Sequence, residues 1–258
     1  MTVSGRRIIV TGASSGLGAH TVRRLAADGA DVLAVARRIE RLERLAAELV
    51  DTPGRVVPFR ADVTSAQGCE DLVAAAIETY GGVDVLVNNA GSEVQGPIDR
   101  LALEDFEGMF RTNVTSIFLC VRAALAALRA SEGAVVNIGS TVVARPPRGR
   151  FGYVASKGAV EAITRALAVD LGRDGIRVNA IRPGIIPSEL RGSTEDEERT
   201  RFHDGRVTSV QAVKEIGHGR DVADAVAWLA SSDNRFVTGA VIDVDGGFTL
   251  GLADPSDT

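Results

Sequence analysis

The stretch Arg7 to Thr11 is largely β-branched and apolar, and reads as a buried strand. It runs without a break into Thr11-Gly-Ala-Ser-Ser-Gly-Leu-Gly18 and then into a helical stretch, Ala19 to Asp28. A strand, a glycine-rich turn and a helix in that order leave the chain few choices. Gly12, Gly16 and Gly18 let the backbone approach a pyrophosphate closely, while the helix N-terminus faces its charge. A second strand, Asp31 to Ala36, completes a βαβ unit.

The alternation continues to the end of the chain. Strands are expected at Arg55 to Arg60, Val83 to Val87, Ala134 to Ile138, Ile176 to Ile181 and Ala240 to Val244. Between them lie a helix capped by Thr64 or Ser65 and running to Tyr80, a long helical stretch Leu103 to Ala130, a helix Gly152 to Leu171, and a short one, Asp221 to Ala230. Glu40 to Val50 forms the helix after the second strand. Such a pattern predicts an α/β fold, a doubly wound parallel sheet with helices on both faces. At 258 residues, with no linker and no repeat, the chain reads as one domain, residues 1–258.

A hydrophobic fraction of 45% against 24% charged residues suits a soluble protein with a sizeable core. The net charge of −5 and the lack of a basic run argue against nucleic acid or an anionic membrane as partner. No apolar run is expected to approach transmembrane length, and Ile8 to Val10 is too short for a signal peptide. Cys69 and Cys120 have no metal-ligand spacing and suggest a reducing compartment. A cytoplasmic protein without a metal site is the expectation. The polar segment from Pro187 to Gly219, with Glu195-Asp-Glu-Glu198, His203 and His218, reads as a substrate flap, and both histidines as surface residues. Trp228 is expected as a core anchor.

Ligands of such sheets bind at the carboxyl ends of strands. There the sequence places Ala36-Arg37-Arg38, Asp62-Val63, Asn88-Asn89-Ala90-Gly91, Gly139-Ser140 and Pro183-Gly184. Ala36 stands where many dinucleotide folds carry a carboxylate. A small residue beside Arg37 leaves room and charge for a 2′-phosphate; the alternative is that Arg37 and Arg38 open the solvated face of the next helix. Asn88 and Asn89 suit backbone bracing, a cofactor wall or an Asx turn. Asn113 is a poor helix former amid good ones. Tyr153 and Lys157 lie one helical turn apart on one face, and an ammonium near a phenol lowers its pKa. Such a tyrosine exchanges protons with a substrate oxygen near neutral pH. Arg145, Arg148 and Arg150 suit either an anionic substrate or carrier, or a plain exposed loop.

Together these residues resemble the short-chain dehydrogenase/reductase family, from Arg7 to about Gly247. The marks are Thr11-Gly-x-x-x-Gly-x-Gly18, Asn88-Asn-Ala-Gly91, Ser140, Tyr153-x-x-x-Lys157, Pro183-Gly184 and Asp245-Gly-Gly247. Members resembling 3-oxoacyl-carrier-protein reductases are the nearest by pattern. The resemblance implies a single-domain Rossmann fold, a seven-stranded parallel sheet in the order 3-2-1-4-5-6-7. It implies catalysis by Asn113, Ser140, Tyr153 and Lys157: Tyr153 as acid/base, Lys157 lowering its pKa and binding the nicotinamide ribose, Ser140 bonding the reacting oxygen, and Asn113 bending its helix and holding a relay water. It implies a cofactor site at Gly12, Ser14, Ser15, Gly16, Leu17, Gly18, Arg37, Arg38, Asp62, Val63, Asn89, Ala90, Gly91, Tyr153, Lys157, Pro183, Gly184, Ile186 and Ser188. The expected cofactor is NADP(H), resting on Arg37, with NAD as the alternative. The expected partners are a small carbonyl or alcohol substrate and further copies of the chain, in a homotetramer or homodimer. An NAD-dependent alcohol or sugar dehydrogenase, a dehydratase or epimerase, and a redox-silent sensor or scaffold remain as other readings of the same fold.

Overall fold

Side chains along β1 (Arg7–Thr11) point alternately to two different cores. Ile8 and Val10 join one, Ile9 the other. A strand buried on both faces must be apolar throughout, and that is how its sequence reads. In the computed structural model, which describes residues 2–188, 190 and 209–251, the same logic holds across a seven-stranded sheet in the order β3-β2-β1-β4-β5-β6-β7. The other strands are β2 (Asp31–Ala36), β3 (Val56–Arg60), β4 (Val85–Asn88), β5 (Ala134–Ile138), β6 (Arg177–Pro183) and β7 (Val241–Val244). Every pairing is parallel.

One face is covered by α1 (Gly16–Ala27), α2 (Ile39–Glu48) and a late helix, Gly219–Ala230, called α7 below. Val22, Leu25, Leu42, Leu45, Val226 and Leu229 supply that core. The other face is covered by α3 (Ala66–Tyr80), α5 (Ser116–Ser131) and α6 (Phe151–Leu171), through Leu72, Ile117, Val121, Leu128 and Val160. Trp228 is half-buried at the margin of the first core rather than inside it.

The expected order and class of elements hold, and the differences have local causes. Helix α1 starts at Gly16, because the glycine turn itself forms its first turn. Strand β4 begins only at Val85. Asp84 ahead of it is taken up by Arg7, whose N, Nε and Nη2 donate to its carboxylate at 2.8, 2.8 and 2.6 Å. The long helix expected from Leu103 is interrupted: α4 (Leu103–Phe110) and α5 are joined by a π-turn, Arg111–Thr115, around Asn113.

One expectation needs correction. The helical run Leu103–Ser131 is long and apolar enough, by length and composition, to cross a membrane, with a mean hydropathy of 1.5. Its apolar side chains Ile117, Val121, Ala124 and Leu128 are buried against the sheet, so the fold uses that hydropathy as a core face. Most of the flap expected at 187–219, including His203 and Glu195–Glu198, lies outside the described residues, as does the tail Ala253–Thr258. His218 is half-buried, caps α7 through a bond from Arg220 N, and packs edge-on against His20 at 4.7 Å. Among the described residues no cluster of three or more ligating side chains could hold a metal.

Candidate active site

Strand order reverses between β1 and β4, which opens a crevice at their carboxyl ends. Thr11 ties its two sides. Its hydroxyl donates to Val87 O at 3.3 Å and accepts from Asn89 N and Ala90 N, each at 3.1 Å. The Asn89 amide donates back to Thr11 O at 2.8 Å and Gly12 O at 3.2 Å. Asn88 turns inward instead, donating to Asn137 Oδ1 at 2.9 Å, and Asn137 donates to Thr164 Oγ1 at 2.9 Å. Of the paired asparagines, Asn88 therefore braces the core and Asn89 shapes the crevice.

The glycine turn packs against this lacing. Gly12 has φ +66°, and a Cβ on Gly18 would collide with Gly12 O and the Asn89 amide. Only glycines allow this approach, and the space they leave is a cradle for a phosphate group. Beside it stands Arg38. Its Nη2 lies 2.9 Å from both Ser14 Oγ and Ser15 Oγ, and its Nε lies 3.2 Å from Ser14 Oγ. Arg37 is exposed on the neighbouring wall. Asp62 accepts from Thr64 N at 2.9 Å and Thr64 Oγ1 at 2.8 Å. The backbone bond holds its carboxyl below the usual range, with Arg37 adding to the effect.

Helix α6 presents Tyr153 and Lys157 to the crevice, both nearly buried at 6% and 4% exposure. Lys157 Nζ donates to Ile138 O at 2.7 Å and lies 5.8 Å from the Tyr153 ring centre. Burial pushes the Lys157 ammonium down to about 8, and the Glu93 carboxylate acts against that. Ser140 follows β5 and accepts from Val142 N at 3.4 Å.

Asn113 sits behind this wall, 1% exposed. Its Nδ2 donates to Ser92 O at 3.0 Å and Ser156 Oγ at 2.9 Å, and its Oδ1 accepts from Ser92 N at 2.8 Å. Those outward bonds anchor the π-turn to the segment after β4 and to α6. Gly91 separates Asn113 from Lys157: a Cβ there would lie 3.3 Å from Asn113 Oδ1 and 3.7 Å from Lys157 Nζ.

One cavity of about 760 Å³ joins these parts. Every residue assigned to the cofactor from sequence lines it, as do Ser140, Tyr153 and Lys157. Of the assigned residues, Asn113 is the one that does not. A cavity of this size lies within the range of ligand pockets, ~300–1,000 Å³, and with its glycine cradle it fits a dinucleotide.

Sequence reasoning named Arg145 and Arg150 but not their partners, and it missed two wall residues, Glu93 and Phe248. Arg150 Nε pairs with Glu93 Oε1 at 3.1 Å. Arg145 donates to Phe248 O at 2.8 Å and Val210 O at 3.3 Å, and stacks over the Phe248 ring at 4.5 Å. Glu93, Arg145, Arg150 and Phe248 all line the cavity. Thr11 is a further omission, though a hydroxyl at a strand's end, just before a glycine turn, is a readable signal.

A family model described as enoyl-(acyl carrier protein) reductase matches residues 12–249. The chain belongs to the short-chain dehydrogenase/reductase family. It is 37% identical to a glucose 1-dehydrogenase of Gluconobacter oxydans over 96% of this chain and 93% of that one. It is 31% identical to a 3-oxoacyl-[acyl-carrier-protein] reductase of Thermotoga maritima over 97% and 100%. Among solved structures, a blue fluorescent protein from a metagenomic library in complex with NADPH superposes with a TM-score of 0.86 at 38% identity, covering 96% of this chain and 99% of that one. This short-chain dehydrogenase/reductase is an oxidoreductase that acts on CH–OH and C=O groups.

Proposed function

We propose that the protein is an NADP(H)-dependent oxidoreductase that interconverts a carbonyl and a secondary alcohol, with Tyr153 as general acid and base. The observation that carries this reading is the placement of Tyr153 beside a buried cation, Lys157, in the same cavity as a guanidinium-flanked glycine cradle.

The cradle from Gly12 to Gly18 would hold the pyrophosphate, Arg38 with Ser14 and Ser15 the 2′-phosphate, and Asp62 and Val63 the adenine. When bound, the nicotinamide supplies a hydride to the carbonyl carbon or takes one from the alcohol carbon. Tyr153 donates its phenolic proton to the carbonyl oxygen in reduction and recovers it in oxidation. Lys157, held by Ile138 O, stabilises the phenolate form. Ser140 donates to the oxygen on which negative charge develops. Asn113 holds the Ser92 segment and α6 in register.

The substrate we infer is neutral. Arg145 is engaged by two carbonyls and a ring, and Arg150 by Glu93, so neither stands ready for an anion. A hydroxyl-bearing carbonyl, as the sugar relative's name suggests for that protein, suits a wall that offers the Ser140 hydroxyl. We also read the protein as a cytoplasmic homo-oligomer, a tetramer or dimer. Leu103, Phe118 and Phe151, on α4, α5 and α6, are each at least half exposed, which supports association through these helices. The facing thiols of Cys69 and Cys120, Sγ to Sγ 3.4 Å, support a reducing location.

The test is Tyr153→Phe, assayed with a panel of ketones and alcohols and both cofactors. Turnover should fall by ~10²–10⁴ while NADPH binding, followed by its fluorescence, persists. A variant that keeps most of its activity refutes Tyr153 as the acid.

A further inference from the structure

The mechanism above leaves part of the cavity wall without a task. Beyond Ser140, that wall is made by Val142, Arg145 and Pro147 from the loop after β5, and by Phe248 from the turn after β7. Arg145 joins the two. Its backbone is fixed first: Arg145 N donates to Thr141 O at 2.9 Å, and Thr141 Oγ1 donates to Pro183 O at 3.1 Å. Its side chain then reaches the C-terminal turn. Nη1 donates to Phe248 O at 2.8 Å and to Val210 O at 3.3 Å, and the guanidinium carbon stands 4.5 Å over the Phe248 ring centre. The turn is itself stiff. Asp245 Oδ1 accepts from Gly247 N at 2.8 Å, and Oδ2 accepts from Thr249 N and Thr249 Oγ1, each at 2.8 Å. A Cβ on Gly184 would collide with Asp245, so β6 presses directly on the base of the turn. Val213 N donates to Gly246 O at 2.8 Å, which docks the 209–215 segment on the same turn. Asp245 thus holds the amides of the turn, while Arg145 holds the Phe248 carbonyl and ring.

We propose that Arg145 is a positioning residue for substrate size: it clamps the Phe248 ring and the Val210 segment into a fixed wall at the substrate end of the cavity, and Phe248 is the surface the substrate meets. The inference rests on the carbonyl–alcohol reading above. A guanidinium is flat, stays charged at any working pH, and can stack on a ring while it donates hydrogen bonds in its own plane. Arg145 uses both properties on one residue, Phe248. A ligand that needs more room must displace the ring, and displacing the ring breaks those contacts. The substrate that fits is therefore compact and uncharged on the Phe248 side. Arg145 itself is exposed, so replacing it opens no hole in either core.

The test pairs a small ketone, butanone, with a bulky one, acetophenone. Arg145→Gln and Phe248→Ala should each raise the acetophenone-to-butanone ratio of kcat/KM, on the order of tenfold, the scale of a lost apolar contact in a pocket. The change should lie in KM, with kcat and NADPH binding nearly unchanged. Arg145→Lys keeps a cation for the carbonyls without the flat stack, and should recover part of the wild-type ratio. Because the arginine acts through the ring, the double variant should go no further than Phe248→Ala alone. Hydrogen exchange of the ligand-free protein reads the clamp without turnover: peptides over 209–215 and 245–250 should exchange faster in Arg145→Gln, and those over β5 should not. Unchanged exchange in both segments, an unchanged size ratio in Arg145→Gln, or additive effects in the double variant overturns the proposal. So does a loss confined to pyruvate and absent for methyl pyruvate, which would make Arg145 an anion site. A Tyr153→Phe variant that stays active refutes the acid/base reading alone, and a wild type that turns over no ketone refutes the carbonyl reading; exchange in the two segments still decides the clamp.

Discussion

Replacing Arg38 with alanine removes the guanidinium that spans Ser14 and Ser15. The sequence put the weight of phosphate selection on Arg37. In the structure it is the Arg38 side chain that folds back over the glycine turn. Arg37 instead acts on Asp62. A hydrogen bond to a charged group contributes ~1.5–3 kcal/mol. Arg38 is exposed, so solvent screening places its share near the lower bound. At ~1.4 kcal/mol per decade, that is about a tenfold effect on kcat/KM with NADPH.

The assay compares initial rates with NADPH and NADH on one substrate. Arg38→Ala should lose about tenfold with NADPH and leave NADH kinetics nearly unchanged. Arg37→Ala should lose less, and Ala36→Asp should move preference towards NADH by repelling the phosphate. Raising ionic strength should shrink the wild-type preference, since the Debye length falls from ~30 Å at 0.01 M to ~3 Å at 1 M. A wild type that uses NADH better, or an Arg38→Ala variant with unchanged NADPH kinetics, refutes the reasoning.

Other outcomes follow from the same geometry. Asn113→Ala strands Ser92 and Ser156 polar atoms in the interior; at about 2 kcal/mol it should lower Tm by roughly 4–8 °C in calorimetry. Lys157 has a folded pKa of about 8 against 10.5 when unexposed to burial, so its cost to stability is full below pH 8 and fades as pH rises towards 10.5. Lys157→Met should therefore raise Tm at neutral pH, by an amount that shrinks through that window, while abolishing turnover. Sedimentation at micromolar concentration should show a dimer or tetramer, and a stable monomer would refute the helix-face reading.

The fold was legible because its strands are buried on both faces. Val83 to Val87 and Ala134 to Ile138 leave few alternatives to a covered parallel sheet, and the carboxyl-end rule then collects the motifs at one rim. What stayed hidden turns on effects without a hydropathy signature. The π-turn lies inside a continuously apolar run and exists because Asn113 bonds outward to Ser92 and Ser156, partners far along the chain. The direction of Arg38 is a rotamer choice, set by two serine hydroxyls that sequence alone leaves unlinked to it.

The arginines near the mouth show the sharper difficulty. As sequence, Arg145, Arg148 and Arg150 form a basic loop that an anionic substrate or carrier would suit. As structure, Arg150 meets Glu93 across 57 positions of chain, and Arg145 meets Phe248 across 103. A cation that is already bonded offers little to an incoming anion, because it must first give up its present partners. Net charge along a sequence window therefore overstates the charge a ligand meets. The wall around Tyr153 is instead one of internally balanced charges, in which Arg150 is already matched to Glu93 before any substrate arrives.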